Sequence, residues 1–487
     1  MSASNAASSN RREAMRASKN TAMLFAGTLA RMVGSFVFVI YCADALGVEG
    51  FGKYSIAVHF FELFLSLTAT AAGIMLTRDL ARWPSHTHQL ITSASCLVLT
   101  LCVCAPPILW GLGNLFNYSS DTCLAMLLTA VALFPAAMCS LLEAVFVAKE
   151  RAEFVTVGTV IESLGRIIFS TLALYLGYGL LALVLVLVVV RVVMLFAYCM
   201  GLNRIGALGW DFSHARTMRF VLRWRVFAAE NWTATINRAL DVIILSWITG
   251  EVAAGVYSAA WKIVRLGSVL AKSYTTAIFP VMSRMHGRAD NALSRLYRET
   301  IRFMCVAAFP AIALVSVIPD RIIGLLFDEE YAAAAAVLQV LIWFLLVEFL
   351  NPFLSHLLFA RGKQKDSMQV AFISLSVNSV ATYLFVSQLG AVGAAAGTVL
   401  GGVIATLCYM AFAFTREEIG DAILVCLRVV FASLAVVGVA ILMRTAAWPI
   451  LLVATGTAYA VALLLFGAIR LSDLQFFKTT LMARTAS

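Results

Sequence analysis

The sequence predicts an all-α polytopic membrane protein with about fourteen transmembrane helices, and three observations support this fold class. Hydrophobic residues make up 62% of the 487 residues and charged residues only 13%, too few to cover the surface of a soluble protein. Apolar runs of about 18 residues or more recur along the chain, and each can cross a bilayer as a helix. Basic residues are concentrated in alternate gaps between these runs, as expected for loops on the cytoplasmic side of a membrane.

The apolar runs define fourteen predicted spans. They cover residues 21–43, 54–76, 90–112, 121–147, 154–176, 179–200, 222–248, 254–280, 300–319, 331–358, 368–388, 391–414, 421–443 and 448–469. The first run is too long for the apolar part of a signal peptide, and no convincing cleavage site follows it. We therefore expect the first span to stay in the membrane.

The gaps between the spans test this count. Twenty-five of the 36 Lys and Arg residues lie in alternate gaps, counted from the N-terminus, whereas the other gaps hold Lys53, Arg321 and Arg444. One missed span would invert every later gap and blur this asymmetry. The distribution predicts that both termini lie in the cytoplasm. It also explains the net charge of +10 by membrane orientation rather than by nucleic-acid binding.

Several functional classes find no support in the sequence. The longest segments between spans, 201–221 and 281–299, are too short to bury the core of a soluble domain. The chain has no phosphate-binding glycine loop, no metal-ligand histidine pair and no Ser/His/Asp constellation. All ten cysteines lie in or at the ends of predicted spans, where they are expected to act as small apolar residues. The protein is therefore predicted not to be an enzyme, and to have no metal site and no cofactor.

Two short motifs recur six spans apart. Residues 52–57 (GKYSIA), at the junction of the first two spans, resemble residues 255–260 (GVYSAA), at the junction of the seventh and eighth. Residues 176–179 (LGYG) are similarly echoed by residues 389–393 (LGAVG). Because six crossings separate the copies, both repeats start on the same side of the membrane and are predicted to be related by a parallel pseudo-two-fold axis. Transporters with such repeats bind their substrate between the two halves.

The repeats and the gaps together predict the domain organisation. Two six-helix bundles are followed by two further helices, and basic segments flank or connect them. The predicted segments are a basic cytoplasmic N-terminus (1–20), an N-terminal six-helix bundle (21–200), a basic cytoplasmic linker (201–221), a C-terminal six-helix bundle (222–414), two additional transmembrane helices (421–469) and a cytoplasmic tail (470–487).

Several stretches of the sequence resemble a known family. Residues 46–55 (LGVEGFGKYS) and 73–82 (GIMLTRDLAR) look like the first hairpin of Wzx-type flippases, which form the polysaccharide-transport branch of the multidrug/oligosaccharidyl-lipid/polysaccharide (MOP) exporter superfamily. Residues 241–246 (DVIILS), 255–260 (GVYSAA) and 279–284 (FPVMSR) match the second half of such proteins. The resemblance covers essentially the whole chain and agrees with the fourteen-span count.

The resemblance implies a substrate and a location. Such proteins move polyprenyl-pyrophosphate-linked oligosaccharide repeat units of O-antigen, capsule or exopolysaccharide from the cytoplasmic to the periplasmic leaflet of the bacterial inner membrane by alternating access. A glycan polymerase and glycosyltransferases are the implied partners. Two alternatives stay open: a cation-coupled drug exporter of the same superfamily, and a non-transporting scaffold or scramblase in a glycan assembly complex. Eight basic residues against six acidic ones within the spans favour an anionic cargo over organic cations.

A pyrophosphate in the low-dielectric interior of a membrane requires cationic hydrogen-bond donors. The candidate substrate-binding residues are Arg31, Arg238, Lys262, Arg265 and Lys272. Three of them lie on the eighth span within a sector of about 80°, given about 100° per helical residue. Lys272 is equally explained by snorkelling to the interface, whereas Arg31 and Arg265 have no acidic neighbour within helical reach. Family members line a central cationic cavity partly from the first helix of each repeat and its neighbour.

Other embedded cations have structural explanations. Arg166 follows Glu162 by four residues and Arg238 precedes Asp241 by three, so a local ion pair accounts for each as well as substrate binding does. Arg191 and Arg428 are more simply explained by snorkelling or structural pairing. They are therefore weaker candidates for substrate contact.

The embedded carboxylates are candidates for coupling to an H⁺ or Na⁺ gradient. Glu62 lies in the middle of the second span, three residues after His59 and on the same face. Glu62 could instead neutralise Arg31 across the first hairpin. Asp241 is a further candidate, and three other embedded carboxylates are weaker ones: Glu143, Glu230 and Glu348. Ion coupling is a hypothesis that depends mainly on the absence of a nucleotide-binding motif.

Overall fold

The structure is a computed structural model, and it describes residues 2–204, 206, 209, 211–285 and 290–468. Side chains are described within these ranges except at 2–33, 84, 152, 226–227, 229–230, 234, 269–270, 272–285, 290–296, 360, 416–417 and 421. The predicted cytoplasmic tail (470–487) lies outside the described residues.

Every regular element in the described ranges is helical. The first half of the chain forms seven long helices and a π-helical segment, Ser66–Thr70, which links α1 to α2 without a break. The helices are α1 (Ser2–Leu65), α2 (Ala71–Arg82), α3 (Thr87–Leu115), α4 (Ser120–Ala148), α5 (Ala152–Tyr175), α6 (Leu180–Arg204) and α7 (His214–Thr249).

The second half contains eight more helices, two of them very short. The short helix α10 and a 3₁₀ turn, Glu329–Tyr331, occupy the gap between the predicted spans 300–319 and 331–358, an acidic segment that contains Asp320, Asp328, Glu329 and Glu330. The helices are α8 (Glu251–Met285), α9 (Asp290–Val317), α10 (Pro319–Leu326), α11 (Ala334–Leu341), α12 (Phe344–Ala360), α13 (Gln364–Ala413), α14 (Arg416–Leu442) and α15 (Trp448–Leu465).

The predicted membrane fold is confirmed. Ten helical stretches in the described ranges are long and apolar enough to cross a membrane. Two of them, Gly34–Arg82 and Gln364–Ala413, contain two spans each, because the chain leaves the helical conformation at Gly47 (φ 65°) and Gly390 (φ 56°), which glycine tolerates. The charge-rich helices α7 and α8 are not among these ten stretches, and with them the long helices agree with the predicted count of about fourteen.

The two halves of α13 pack against each other in antiparallel fashion. A Cβ atom placed on Gly397 would collide with Thr382, and one placed on Gly401 would collide with Asn378. Small residues at such positions allow the backbones of two transmembrane helices to approach closely. The hairpin therefore buries Asn378 and Thr382, and the Thr382 hydroxyl donates to the Asn378 side chain at 3.1 Å.

The chain divides into two compact units, Met1–Ala239 and Leu240–Ser487. The boundary falls inside α7, so the first part of this helix belongs to the first unit and the last part to the second. The predicted division at the 201–221 segment was based on sequence repeats, and it stays a prediction.

In the first unit, helix ends that were predicted to lie on one side of the membrane do lie together. The α2–α3 turn, the α4–α5 turn and the end of α6 surround a cavity of about 590 Å³. We call this end of the first unit its basic side, because the helix ends carry Lys149, Arg151 and Arg204. At the other end, Lys53 lies 2.8 Å from Glu49 and 3.7 Å from Asp121 at the start of α4.

Candidate functional site

The predicted substrate-binding cations belong to both units. Arg31 on α1 and Lys272 on α8 have side chains outside the described residues. Arg238 lies on α7 in the first unit and is exposed. Lys262 and Arg265 lie on α8 in the second unit, where the structure describes both side chains. Lys262 and Arg265 are therefore the two predicted residues of α8 with described side chains, and they lie on a common face of this helix.

Helix α8 carries its cations away from the face that packs within the second unit. Tyr257 and Val264 are buried, and Gly267 lies close against α12. Lys262 and Arg265 lie on the other side of the helix, since successive residues are about 100° apart. Lys262 is half-buried and Arg265 is exposed. On this face, Lys262 is thus partly covered, whereas Arg265 is exposed.

The charged group of Arg265 is available for a ligand. Among the described residues Arg265 makes no ion pair, and the Ser268 hydroxyl donates to its backbone carbonyl over 2.9 Å, not to its side chain. A guanidinium presents several N–H donors in a planar arrangement that matches phosphate oxygens. The site can therefore supply a bidentate donor set to a phosphate group.

A second polar centre in the same unit surrounds Asp241 of α7. Its carboxylate is 2% exposed and accepts a hydrogen bond from the Tyr257 hydroxyl of α8 at 2.5 Å. The Thr398 hydroxyl of α13 lies 3.4 Å from the same oxygen and 3.2 Å from the Tyr257 hydroxyl. Three helices thus meet at one carboxylate. Arg238, the neighbour suggested by sequence spacing, is not among these partners.

Two embedded cations of the first unit, Arg166 and Arg191, are arranged differently from Arg265. Arg191 of α6 pairs with Glu162 of α5 at 2.9 Å, and both side chains are largely buried. Arg166 donates to the hydroxyl of Tyr54 at 2.9 Å instead of forming the local pair with Glu162 that the spacing suggested. Glu62 is close enough to Arg166 to interact with it electrostatically. Within this group the cations are matched by carboxylates and a phenol.

His59 and Glu62, the predicted coupling residues of the first unit, both have contacts that give them a structural role. The Nδ1 atom of His59 lies 2.7 Å from the Ser55 carbonyl and therefore donates to it. Glu62 is exposed and lies near Arg166, so it contributes counter-charge to the buried network. The alternative in which Glu62 neutralises Arg31 concerns a side chain outside the described residues.

A polar seam along α7 was not recognised from the sequence. Asp79, which is 1% exposed, lies 3.0 Å from Arg223 of α7 and 2.9 Å from Arg78. Further along α7, the Trp232 indole donates to the carbonyl of Leu67 in the π-helical segment at 3.0 Å. The sequence contains one signal of this contact, which is Asp79 in residues 77–82 (TRDLAR). A buried carboxylate requires a cationic partner, and the structure identifies that partner as Arg223.

A second contact between α7 and the π-helical segment is made by Ser66. Its hydroxyl donates to the Asn231 side chain at 3.0 Å and lies 2.7 Å from the Thr235 hydroxyl. A π-helical segment changes the register of the backbone hydrogen bonds, and such segments recur at functional positions in helices. The start of α7 is therefore joined to the first unit by several polar contacts.

Membrane-spanning helices with ionisable side chains in their interior, ten stretches of which in the described residues are long and apolar enough to cross a bilayer, define a polytopic membrane protein. A model of the family described as "Polysaccharide biosynthesis protein" matches residues 17–286, more than half of the chain. The chain therefore belongs to the polysaccharide biosynthesis protein family. A second family model, MatE, matches residues 227–384.

Solved structures show that the fold is that of the MOP superfamily. The lipid II flippase MurJ in an inward closed conformation superposes with a TM-score of 0.76 at 15% identity, over 93% of this chain and 99% of that one. An inward-facing multidrug resistance transporter of the MATE family gives 0.67 at 16% identity, over 80% and 95%. A MOP superfamily transporter from Pyrococcus furiosus, described as having a binding pocket of reverse polarity, gives 0.56 at 17% identity, over 82% and 94%.

Curated relatives match over shorter stretches. An uncharacterized membrane protein of Methanocaldococcus jannaschii is 28% identical over 164 residues, which are 33% of this chain and 32% of that protein. A Haloferax volcanii protein named "Probable low-salt glycan biosynthesis flippase" is 22% identical over 171 residues, 35% and 36% of the two chains. A capsular polysaccharide biosynthesis protein of Staphylococcus aureus is 20% identical over 179 residues, 37% and 45%. The matched stretches thus span about a third to less than half of these relatives.

Proposed function

We propose that the protein is a flippase that moves polyprenyl-pyrophosphate-linked oligosaccharide repeat units from the cytoplasmic to the periplasmic leaflet of the bacterial inner membrane by alternating access. The repeat units would be those of O-antigen, capsule or exopolysaccharide. The observation that carries the proposal is the exposed guanidinium of Arg265, which forms no ion pair with any described residue, on a long helix of a polysaccharide biosynthesis protein. The named functions of the Haloferax volcanii and Staphylococcus aureus relatives support it.

The energetics of a charged side chain in a membrane explain why Arg265 suggests a ligand. An arginine at the centre of a transmembrane helix costs about 2.5 to 3.5 kcal/mol on insertion scales. Ion pairing offsets that cost for Arg191, but no described carboxylate does so for Arg265. A pyrophosphate of the substrate would supply the missing counter-charge, with Lys262 on the same face as a second donor. Arg31, Arg238 and Lys272 remain proposed contributors.

The direction and orientation are proposed from the loops. The basic residues concentrated in alternate gaps favour a cytoplasmic location for both termini. The clustering of three such gaps at the basic side of the first unit supports this topology. The proposed partners are the glycosyltransferases that build the lipid-linked oligosaccharide and the polymerase that consumes it.

Transport is proposed to be coupled to H⁺ or Na⁺ at Asp241. The carboxylate is shielded from solvent, and hydroxyls from two other helices point at it. Binding of a cation to the carboxylate would compete with these hydroxyls for its lone pairs and so change how α7, α8 and α13 are held together. Glu62 and His59 remain second candidates for coupling, although the nearby Arg166 gives Glu62 a structural role.

The test is binding of a polyprenyl-pyrophosphate-linked oligosaccharide to the purified protein, measured by native mass spectrometry. Wild type, Arg31→Ala and Arg265→Ala would be compared with Lys365→Ala, which removes an exposed cation outside α8. A cationic dye serves as a second ligand. We expect wild type and Lys365→Ala to retain the glycolipid, and the other two variants to lose it.

Other outcomes would overturn the proposal. Glycolipid binding that is unchanged in Arg31→Ala and Arg265→Ala would exclude the embedded cations as the pyrophosphate site, as expected for a scaffold. Binding of the dye in place of the glycolipid would favour the drug exporter. A companion flipping assay in proteoliposomes, with and without a proton or sodium gradient, tests direction and coupling.

A further inference from the structure

The cavity at the basic side of the first unit is not explained by the proposed transport mechanism. It has a volume of about 590 Å³, within the range of ordinary ligand pockets. Its walls come from the α2–α3 turn, the α4–α5 turn and the end of α6. They consist of Leu80, Ala81, Thr87, Ala148, Lys149, Glu150, Arg151 and Arg204. All of these residues belong to the first unit, far along the sequence from the cations of α8.

The charge of the cavity is positive. Lys149, Arg151 and Arg204 outnumber Glu150, the one carboxylate in its lining. Arg151 also lies 3.2 Å from Glu153, an exposed pair that neutralises part of its charge. Within the described ranges Lys149 and Arg204 take part in no ion pair. Two unneutralised cations therefore face a common space.

The α4–α5 turn fixes the position of two of these cations. Helix α4 ends at Ala148, and Glu150 adopts a left-handed conformation with φ of 58°, which is uncommon for a residue other than glycine. The N–H of Arg151 then donates to the Phe146 carbonyl at 2.8 Å and closes the turn. The turn consequently fixes the backbone positions of Lys149 and Arg151, which flank Glu150.

The cavity is also amphipathic. Leu80, Ala81 and Ala148 form the apolar wall of the cavity. Beside it, Trp83 is 42% exposed, and the guanidinium of Arg82 lies 5.3 Å from the centre of its ring. Exposed tryptophans are concentrated at the level of the lipid headgroups in membrane proteins. The combination of basic and apolar lining residues suits a lipid phosphate and the first carbons of its chains.

We propose that this cavity binds a phosphate group, and that its expected source is the headgroup of an anionic phospholipid in the adjacent leaflet. Basic pockets between transmembrane helices on the cytoplasmic side suit such headgroups. Lys149 and Arg204 supply the charge-assisted donors, and the apolar wall accommodates the glycerol end of the lipid. A soluble phosphate is the other source of the same chemistry. The site is independent of the proposed glycolipid site on α8.

The experiment measures lipid retention by native mass spectrometry on the full-length protein, in micelles with equal amounts of phosphatidylglycerol and phosphatidylethanolamine. We expect wild type to retain phosphatidylglycerol selectively. Lys149→Gln/Arg204→Gln should weaken that retention roughly twenty-five-fold, since each basic residue near a membrane surface contributes about fivefold. The matched control, Arg225→Gln/Lys365→Gln, removes two exposed cations outside the cavity and should leave retention unchanged.

A third variant changes the affinity in the opposite direction. Glu150→Gln removes the carboxylate of the cavity and should strengthen phosphatidylglycerol retention about fivefold, a gain that misfolding cannot produce. Equal losses in the cavity variant and its control, or no loss in either, would overturn the site. Added inorganic phosphate distinguishes the source: if it binds directly and displaces no lipid, the phosphate site stands and the lipid source is wrong. Glycolipid binding measured on the same variants shows whether the site on α8 is intact.

Discussion

The two units differ in how they accommodate charge within membrane-spanning helices. In the first unit, Arg191 and Glu162 form a buried pair between neighbouring helices, and Arg166 is held by Tyr54. In the second unit, Arg265 is exposed on one face of α8 and makes no ion pair among the described residues. The sequence contains embedded cations in both halves, so their number alone does not distinguish the two environments.

This difference separates a structural role from a binding role. A charge that is paired inside a protein cannot be removed cheaply, because its partner is left buried and uncompensated. A charge that is exposed and unpaired contributes little to folding. Because such a charge is costly in a membrane helix, a ligand of opposite charge would offset that cost. Substitution of Arg191 or Glu162 in the first unit should therefore affect stability, whereas substitution of Arg265 in the second unit should affect binding.

The largest expected effect is the loss of the buried pair in the first unit. Glu162→Gln removes the ion-pair partner of the largely buried Arg191 and should destabilise the purified protein by about 3 kcal/mol. The measurement is thermal unfolding in detergent. The double variant Glu162→Gln/Arg191→Met should recover most of the loss, because neither charge remains. An unchanged melting temperature in the single variant would show that the pair is not structural.

A smaller loss is expected at the α7 seam. Asp79 is almost fully buried, but Arg78 and Arg223 are about half exposed, so solvent screens part of the interaction. Asp79→Asn should therefore cost about 2 kcal/mol. The matched control is Asp121→Asn, whose carboxylate is exposed and lies 3.7 Å from Lys53. The control should change stability by less than about 0.5 kcal/mol, and an equal effect in both variants would contradict the role of burial.

Much of the fold could be predicted because a membrane restricts the available structures. Backbone groups in hydrocarbon must be hydrogen-bonded within the chain, so long apolar runs become helices. The same argument does not extend to the acidic segment before α11. There Ile323 and Tyr331 are buried, and the segment forms α10 and a 3₁₀ turn instead of a loop. Burial of a few apolar side chains decided its structure, and the charge pattern did not reveal them.

The part of the candidate site that could be predicted from the sequence is the part whose residues lie on a single helix. The common face of Lys262 and Arg265 follows from helical periodicity, and the structure describes both on that face. The partner of Glu162 did not follow, because Arg191 is 29 residues away on another helix, whereas sequence spacing pointed to Arg166. The hydroxyls around Asp241 likewise come from two other helices. Contacts between helices depend on packing that local periodicity does not contain.

In the second unit, Arg265→Ala tests whether an exposed cation contributes to binding and not to stability. We expect glycolipid binding to fall about tenfold, the loss of one charge-assisted interaction, while the free energy of unfolding changes by less than about 0.5 kcal/mol. Arg265→Lys should retain part of the affinity, since it keeps the charge but not the planar donor set. Native mass spectrometry and thermal unfolding on the same preparations would measure both quantities. A loss of stability comparable to that of Glu162→Gln would remove the distinction between the units.

The smallest expected effect concerns the polar centre at Asp241, which shows that the second unit also contains a buried carboxylate. Tyr257→Phe removes the 2.5 Å hydrogen bond and should cost about 1 kcal/mol. Thr398→Val should cost less, because its hydroxyl lies 3.4 Å from the carboxylate. If Asp241 binds the coupling cation, added Na⁺ or H⁺ should raise the melting temperature of wild type but not of Asp241→Asn, since a ligand stabilises only the state that binds it. An equal response in Asp241→Asn would assign this carboxylate to packing alone and leave Glu62 as the coupling candidate.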